Sequence, residues 1–248
     1  MKFIGIDLGW KSGASGLCCL EIETTQLQIN HLTIALEIDT ILNLIDTWIV
    51  PQDDATIAVD APTLIPNETG MRLPDKLTHK HFGRYHAGCY PANQKRPFAQ
   101  RTIAFGLSLE KRGFRHADTI IPQQKGRYQI EVFPHPAMVN LFQLPRILKY
   151  KKGRLRDRQN GLAQLREYII EVLPNLEPAL SLANIAHYPP LTVDFASLNG
   201  KQTKAVEDQL DGLICAYIGA YWWYWGKAKN LVLGNISTGY IVVPSPFS

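Results

Sequence analysis

The chain has 248 residues, of which 46% are hydrophobic and 19% charged, so it can bury a substantial core. This composition excludes a disordered, fibrous or disulfide-stapled protein. The four cysteines include no CxxC pair, and Asp7 and Lys11 lie where a signal peptide would need apolar residues. We therefore expect a reduced, cytoplasmic protein that folds as a single domain over residues 1–248.

Positive charge is concentrated in the middle of the chain, although the net charge is only +4. Residues 71–160 contain 19 lysines and arginines against five acidic residues, a net charge of +14, whereas the remainder carries −10. Such a density of positive charge is typical of proteins that bind phosphates, so we expect nucleic acid as the partner. The alternative is a solvated basic surface that meets no polyanion.

The first part of the chain is predicted to form three antiparallel strands, a helix and a fourth strand. Short apolar runs separated by turn residues predict strands at residues 2–7, 14–22 and 27–34. Helical spacing of apolar residues predicts a helix at 36–50, and a buried strand follows at 56–60. Because parallel strands need a long crossover, this helix predicts a fourth strand parallel to the first.

The expected fold class is α/β, a mixed five-stranded sheet with a three-strand antiparallel meander plus parallel strands, flanked by helices. A basic insertion is expected at about residues 62–124. Residues 174–200 are expected to be irregular. The remaining predicted elements are helices at 98–112, 136–142, 156–173 and 205–225 and strands at 128–133 and 240–243.

The apolar run at residues 212–226 is too short to span a membrane, which takes about 20 residues, so we expect a buried helix and no membrane partner. Its aromatic residues at 221–225 point all round a helix. That arrangement favours core packing or a homo-oligomer interface over base stacking.

Acidic residues mark the ends of predicted strands. Asp7 ends the first, Asp60 ends the fourth, and Glu131 lies in the fifth. A charge entering an apolar strand is unfavourable unless it is paired or binds a cation, and functional groups of α/β proteins concentrate at strand carboxyl ends. Asp208 and Asp211 are three residues apart, so they share one face of the long helix.

These acids predict a metal-dependent nuclease. Mg²⁺ and Mn²⁺ prefer carboxylate oxygens, and two such ions about 4 Å apart can activate water and stabilise the leaving oxygen of a phosphodiester. We expect Asp7, Asp60, Asp208 and Asp211 to bind the metal, with Glu131 as a further ligand or a supporting acid. The neighbouring acid Glu207 has a simpler explanation, since acids near a helix N-terminus favour the helix dipole.

Four residues are candidates for binding the substrate. Arg72 could bind the scissile phosphate or form a buried ion pair with Asp75. His135 could protonate a leaving group or be structural. Lys151 and Lys152 could bind the phosphate backbone or lie in a solvated charged run.

A group of histidines in the basic segment has the side chains of a zinc site, but its spacing matches no strong zinc pattern. Phosphate contact or plain exposure is the favoured interpretation. The group comprises His79, His81, His86 and Cys89.

Seven short motifs, in order along nearly the whole chain, resemble the domain-of-unknown-function 429 (DUF429) family of predicted ribonuclease H-like nucleases. They are GIDLGW (5–10), VDAP (59–62), Arg72 with Asp75, EVFPHP (131–136), KYKKG (149–153), DQLDGLICA (208–216) and GYIVVP (239–244). The acid pair on the long helix is also similar to that of RuvC-type resolvases. The resemblance implies a ribonuclease H-like fold and metal-dependent nuclease activity, without a substrate. Two positions depart from the family pattern, Glu207 where Asp is frequent and Pro74 where Cys is frequent.

Two other functions remain open on the sequence. An actin-like sugar kinase also begins with GIDLG, but that architecture needs two such domains and this chain is short for it. A non-catalytic nucleic-acid-binding protein could retain the same fold.

Overall fold

A seven-stranded mixed sheet forms the centre of the computed structural model, which describes residues 1–9 and 13–246. The sheet order is β5-β6-β4-β1-β2-β3-β7, and β8 and β9 form a separate two-stranded hairpin. The strands are β1 (Lys2–Asp7), β2 (Ser15–Glu23), β3 (Gln26–Ala35), β4 (Ala55–Val59), β5 (Arg115–His116), β6 (Arg127–Glu131), β7 (Ala179–Leu180), β8 (Asn230–Asn235) and β9 (Gly239–Pro244).

Helices cover both faces of the sheet, because alternate strand residues are apolar on both sides. Phe3 of β1 packs with the core shared by α4, α5 and α6, whereas its neighbour Ile4 packs with α1 and α3. The helices are α1 (Ile38–Trp48), α2 (Leu73–Phe82), α3 (Ala99–Glu110), α4 (Pro134–Leu141), α5 (Leu155–Glu171) and α6 (Gly200–Trp225). In the described part of the chain no helix has the length and apolar character needed to cross a membrane.

The predicted mixed α/β sheet is confirmed, but the predicted count of five strands is wrong. β5 and β7 have two residues each, which is too short to leave an alternating pattern in the sequence. The predicted last strand at 240–243 belongs to the hairpin with β8. It meets the main sheet at a bridge between Val132 and Val242, and Tyr240 Oη donates to the carbonyl of Gln129 in β6 at 3.0 Å. Among the described strands of the main sheet, β2 alone runs antiparallel to its neighbours.

Helix boundaries differ from the prediction in two informative places. The long helix begins at Gly200 because Asn199 caps it, with reciprocal hydrogen bonds between Asn199 and Gln202. Helix α2 was missed because its apolar residues are few, yet Pro74 and Asp75 in its first turn are typical start signals. The basic segment at 62–124 therefore carries α2, α3 and β5.

Helix α6 lies directly on β1 and β2 because glycines remove the side chains between them. A Cβ built on Gly16 would be 1.6 Å from the carbonyl oxygen of Asp208, and one on Gly5 would be 2.1 Å from that of Gly212. Backbone therefore contacts backbone at this crossing. The contact fixes the position of the N-terminal half of α6 relative to the strand ends.

Candidate active site

Two of the predicted acids lie side by side at the carboxyl end of the sheet. Asp7 is the last residue of β1, and Asp60 follows β4, the parallel neighbour of β1. The backbone N–H of Asp60 donates to the carbonyl of Ile6 at 2.8 Å. This hydrogen bond continues the pairing of β1 and β4 up to the residues that carry the two carboxylates.

Helix α6 brings the other two acids to the same place. Gly16 pairs with Asp7 across β1 and β2, and Gly16 also contacts the backbone of Asp208. Asp211, one turn further along α6, interacts electrostatically with both Asp7 and Asp60. We call Asp7, Asp60, Asp208 and Asp211 the carboxylate cluster.

Burial and repulsion by neighbouring acids disfavour the charged form of Asp7, Asp60 and Asp208. Asp208 and Asp211 are 1% and 0% exposed. Burial raises the pKa of Asp7, and it raises the pKa of Asp60 well above its usual range, with the charge of Asp7 adding to the effect. Burial likewise raises the pKa of Asp208 to about 7. The cluster therefore favours a bound positive charge or a proton.

Two lysines supply positive charge to the cluster. Lys151 Nζ lies 2.8 Å from Asp211 Oδ2, while Tyr150 Oη donates to Asp211 Oδ1 at 2.7 Å. Lys204 Nζ lies 2.6 Å from Asp208 Oδ1. Although burial alone would lower it, the pKa of Lys151 is raised well above its usual range by Asp211 and Asp7.

The donor chemistry of the cluster fits a hard divalent cation. Within the described residues no hydrogen bond reaches the carboxylates of Asp7 or Asp60, and the buried Oδ2 of Asp208 also has no hydrogen-bond partner there. Carboxylate oxygens are the ligands that Mg²⁺ and Mn²⁺ prefer. In residues 1–9 and 13–246, however, no three His, Cys, Asp or Glu side chains are grouped closely enough to hold an ion as they stand.

Glu131 lies next to the cluster but is already engaged. Its two oxygens accept hydrogen bonds from Arg72 Nη1 and Nη2 at 2.7 Å each, and Arg72 also pairs with Asp75 at 2.8 Å. All three side chains are buried. Of the two roles considered for Arg72, the structure therefore shows the buried ion pair with Asp75, and Glu131 is a second acid in it. Burial raises the pKa of Glu131 to about 7 even though Arg72 lowers it.

Arg72 has no free donor in this arrangement. Its remaining N–H groups reach the carbonyl of Leu64 at 2.9 Å and Asp75 Oδ1 at 3.2 Å, so all five donors have acceptors. Asp75 also accepts from the backbone N–H of Ala92 at 2.9 Å, a contact within the segment 62–124, and the Arg72–Glu131 pair joins this segment to β6. A cavity of about 100 Å³ lies between this ion triad and Asp60.

His135 and Lys152 differ in their surroundings. His135 lies in the first turn of α4, with its ring 5.7 Å from that of Tyr150, and burial lowers its pKa to about 3. It is therefore uncharged at neutral pH, and in this form it lacks the second ring proton that an imidazolium ion carries. Lys152 is exposed beside Lys151.

Of the predicted histidine group, His79 and His81 lie in the last turn of α2, and His86 and Cys89 follow the helix. His79 Nε2 lies 2.9 Å from the carbonyl oxygen of Cys89, whose thiol points towards Asp75. His81 and His86 are exposed.

The sequence analysis missed two contributors to the site, Lys204 and Tyr150. Lys204 is four residues before Asp208, a spacing that identifies a helical ion pair. Tyr150 left no signal, because a single tyrosine in a basic run gives no indication of burial. The dipole explanation for Glu207 is wrong, since α6 begins seven residues earlier. Glu207 instead pairs with Lys204 at 2.7 Å and with Arg158 at 3.1 Å.

Comparison with known proteins gives one match. The profile of a family described as "Protein of unknown function (DUF429)" matches residues 5–233, which confirms the family that the seven motifs resemble. No curated protein matches the chain.

Proposed function

Because the chain belongs to the DUF429 family, whose description leaves the activity open, we propose that it is a metal-dependent nuclease that hydrolyses phosphodiester bonds. The observation that carries the proposal is the carboxylate cluster. Asp7 and Asp60, at two parallel strand ends, interact electrostatically with the acids of α6, and the exposed residues Lys152, Arg154 and Arg156 follow close by in the chain. Acids at strand carboxyl ends are typical of catalytic sites in α/β proteins.

The order of strands supports a ribonuclease H-like fold as part of this proposal. The antiparallel meander β1–β3 is followed by α1 and then by the parallel strands β4 and β6. This is the arrangement that the resemblance implies, with the two-residue strands β5 and β7 added at the edges.

Asp7, Asp60, Asp208 and Asp211 would hold the Mg²⁺ or Mn²⁺. The ion supplies Lewis-acid stabilisation of the charge that develops on the phosphate oxygens. In hydrolysis the oxygen of water forms a new bond to phosphorus, and the bond to the leaving oxygen breaks. One proton of the water ends on the leaving oxygen and the other stays on the new phosphomonoester.

The residues that follow Lys151 are suited to hold the phosphates of a polyanion. Lys152, Arg154 and Arg156 are all exposed, and they lead from the cluster into the first turn of α5. Phosphate contacts of this type fix the position of the substrate without reading its bases.

The test is cleavage of labelled oligonucleotides by the purified full chain. Single-stranded DNA, RNA, duplex and four-way-junction substrates are incubated with Mg²⁺, Mn²⁺ or a chelator, and products are separated on a denaturing gel. We expect cleavage that needs a metal and is abolished in Asp7→Asn but not in Asp39→Asn, which removes an exposed charge on α1.

Absence of cleavage with every substrate and both ions would refute the proposal. Metal-independent binding of the oligonucleotides would then favour the non-catalytic binding protein, and turnover of ATP with a sugar would favour the kinase.

A further inference from the structure

We propose that the cavity beside Asp60, together with the neighbouring side chains of Tyr90 and Arg96, binds one unpaired base of a nucleic-acid strand. The inference rests on the proposed function and deepens it, because it names the class of nucleic acid that the site accepts. That class is a single strand, or a stretch in which at least one base is unpaired.

The cavity between the ion triad and Asp60 has a size and a lining that suit one flat ring. A cavity of about 150 Å³ takes up benzene, so this partly open space of about 100 Å³ admits a single ring and leaves no room for the sugar and phosphate as well. Much of its lining is apolar or aromatic, comprising Ala61, Pro62, Phe98, Val132, Phe133 and Ile241.

The charged part of the lining does not favour a phosphate in the cavity itself. Arg72 is the one arginine or lysine among the described lining residues, and all five of its donors already have acceptors. Asp60 lines the cavity and also belongs to the carboxylate cluster. A base bound there would therefore hold the phosphodiester of its own nucleotide close to the acids proposed to carry the reaction.

Tyr90 and Arg96 provide a stacking surface beside the cavity. Tyr90 lines the cavity with its side chain 64% exposed, and it is the one aromatic residue among the large hydrophobic side chains that the structure describes as exposed. The guanidinium carbon of Arg96 lies 5.5 Å from the centre of the Tyr90 ring, and Arg96 Nε donates to the carbonyl of Pro91 at 3.2 Å. Aromatic rings and guanidinium planes are the groups on which proteins stack unpaired bases.

The loop that carries Tyr90 is fixed on both sides. Before it, the carbonyl oxygen of Cys89 lies 2.9 Å from His79 Nε2 of α2. After it, the backbone N–H of Ala92 donates to buried Asp75 at 2.9 Å. A ring on a backbone held in this way loses little freedom when a base stacks on it, which favours binding.

The charge around this surface complements a nucleic-acid strand. Residues 76–109 contain six lysines and arginines and no acidic residue, and Lys95 beside Arg96 is exposed. Such residues can contact the phosphates on either side of a bound base. A base inside a double helix is paired and stacked, and extruding it has a free-energy cost, so an unpaired base is favoured.

The experiment measures the binding of the full-length chain to a fluorescein-labelled oligothymidylate by fluorescence anisotropy. A chelator is present, so that the strand stays intact under the proposed mechanism. An abasic strand of equal length has the same phosphates without bases, and a blunt duplex is the third probe. We expect the wild type to bind the oligothymidylate about tenfold more tightly than the abasic strand at the same salt concentration.

Two variants test the two parts of the site. Tyr90→Ala removes the ring and should weaken oligothymidylate binding about tenfold, while its affinities for the abasic strand and the duplex stay unchanged. Tyr90→Phe keeps the ring and should bind like the wild type. Cys89→Leu enlarges a side chain that lines the cavity, so it should weaken oligothymidylate binding in the same selective way.

The control Ile121→Ala removes a similarly exposed apolar side chain, at 67%, and should change no affinity. It lies near the other end of α6, since Gln123 in the same loop donates its backbone N–H to the carbonyl of Trp223. Circular dichroism checks the fold of each variant, and the comparison of the two strands on the wild type tests the inference without any variant.

Equal affinity of the wild type for the oligothymidylate and the abasic strand would overturn the inference. Unchanged oligothymidylate binding in Tyr90→Ala or in Cys89→Leu, or an equal loss on the abasic strand, would also overturn it. These failures are distinct from that of the nuclease proposal. Selective binding through Tyr90 without cleavage of any substrate supports the base site and refutes the nuclease, whereas metal-dependent cleavage without a preference for bases does the reverse.

Discussion

Replacing Arg72 with alanine should destabilise the protein strongly, because this arginine neutralises two buried acids. Asp75 and Glu131 are 0% and 4% exposed, and both lose their counter-ion in Arg72→Ala. Removing one partner of a buried ion pair lowers the unfolding free energy by about 3–5 kcal/mol. We expect the upper half of this range, since five hydrogen bonds are lost and two carboxylates are stranded.

The pH dependence of this loss has a definite sign. The pKa of Glu131 is raised to about 7 by burial, and it rises further without Arg72. An acid with a raised folded-state pKa binds more protons folded than unfolded, so the unfolding free energy falls as pH rises from its ordinary pKa to its folded-state pKa. In the wild type this fall ends near pH 7, and in Arg72→Ala it continues above pH 7. The gap between wild type and Arg72→Ala should therefore be larger at pH 8 than at pH 5.

The measurement is urea unfolding followed by circular dichroism at both pH values. Arg84→Ala, which removes an exposed arginine just after α2, serves as the control and should change the unfolding free energy by less than about 0.5 kcal/mol. Arg72→Lys should recover only part of the lost unfolding free energy. The ammonium group of lysine cannot donate paired hydrogen bonds to both carboxylates as the planar guanidinium group does. A loss below about 1 kcal/mol in Arg72→Ala would refute the reasoning that this triad is a charged structural centre.

Three further predictions concern the site and the crossing beneath it. Asp7→Asn should abolish cleavage yet leave the melting temperature at least as high as in the wild type, because burial disfavours the charge of Asp7; a lower melting temperature would contradict this. Lys152→Ala should reduce the slope of log K against log salt for oligonucleotide binding by about one, equally for all sequences, and an unchanged slope would remove Lys152 from the phosphate surface. Gly16→Ala should lower the melting temperature and cleavage together, since its Cβ would be 1.6 Å from the Asp208 carbonyl oxygen, whereas Gly200→Ala, with open space around it, should change cleavage little.

The sequence was sufficient to identify the strand ends that carry Asp7 and Asp60, since each ends a continuous apolar run and such runs are local signals. It was also sufficient for the shared face of Asp208 and Asp211, which follows from helical geometry alone.

Contacts between distant segments could not be predicted in this way. Glu131 was expected near a metal, but its partner Arg72 lies 59 residues away on another element. Lys151 and Lys152 are adjacent and look equivalent in sequence, yet buried Tyr150 directs only the first of them into the cluster. Which member of a charged run faces inwards depends on the packing of its neighbours, and that information is tertiary.

The glycine-mediated crossing of α6 over β1 and β2 has a consequence for the order of events during synthesis. Asp7 is synthesised about 200 residues, and Asp60 about 150 residues, before Asp208. Until α6 docks on Gly5 and Gly16, the strand ends carry two acids and none of the helical ones. A nascent or proteolytically shortened chain that ends before α6 would therefore hold only two of the four acids of the carboxylate cluster. Under the proposed function such a chain would lack a complete site until α6 docks.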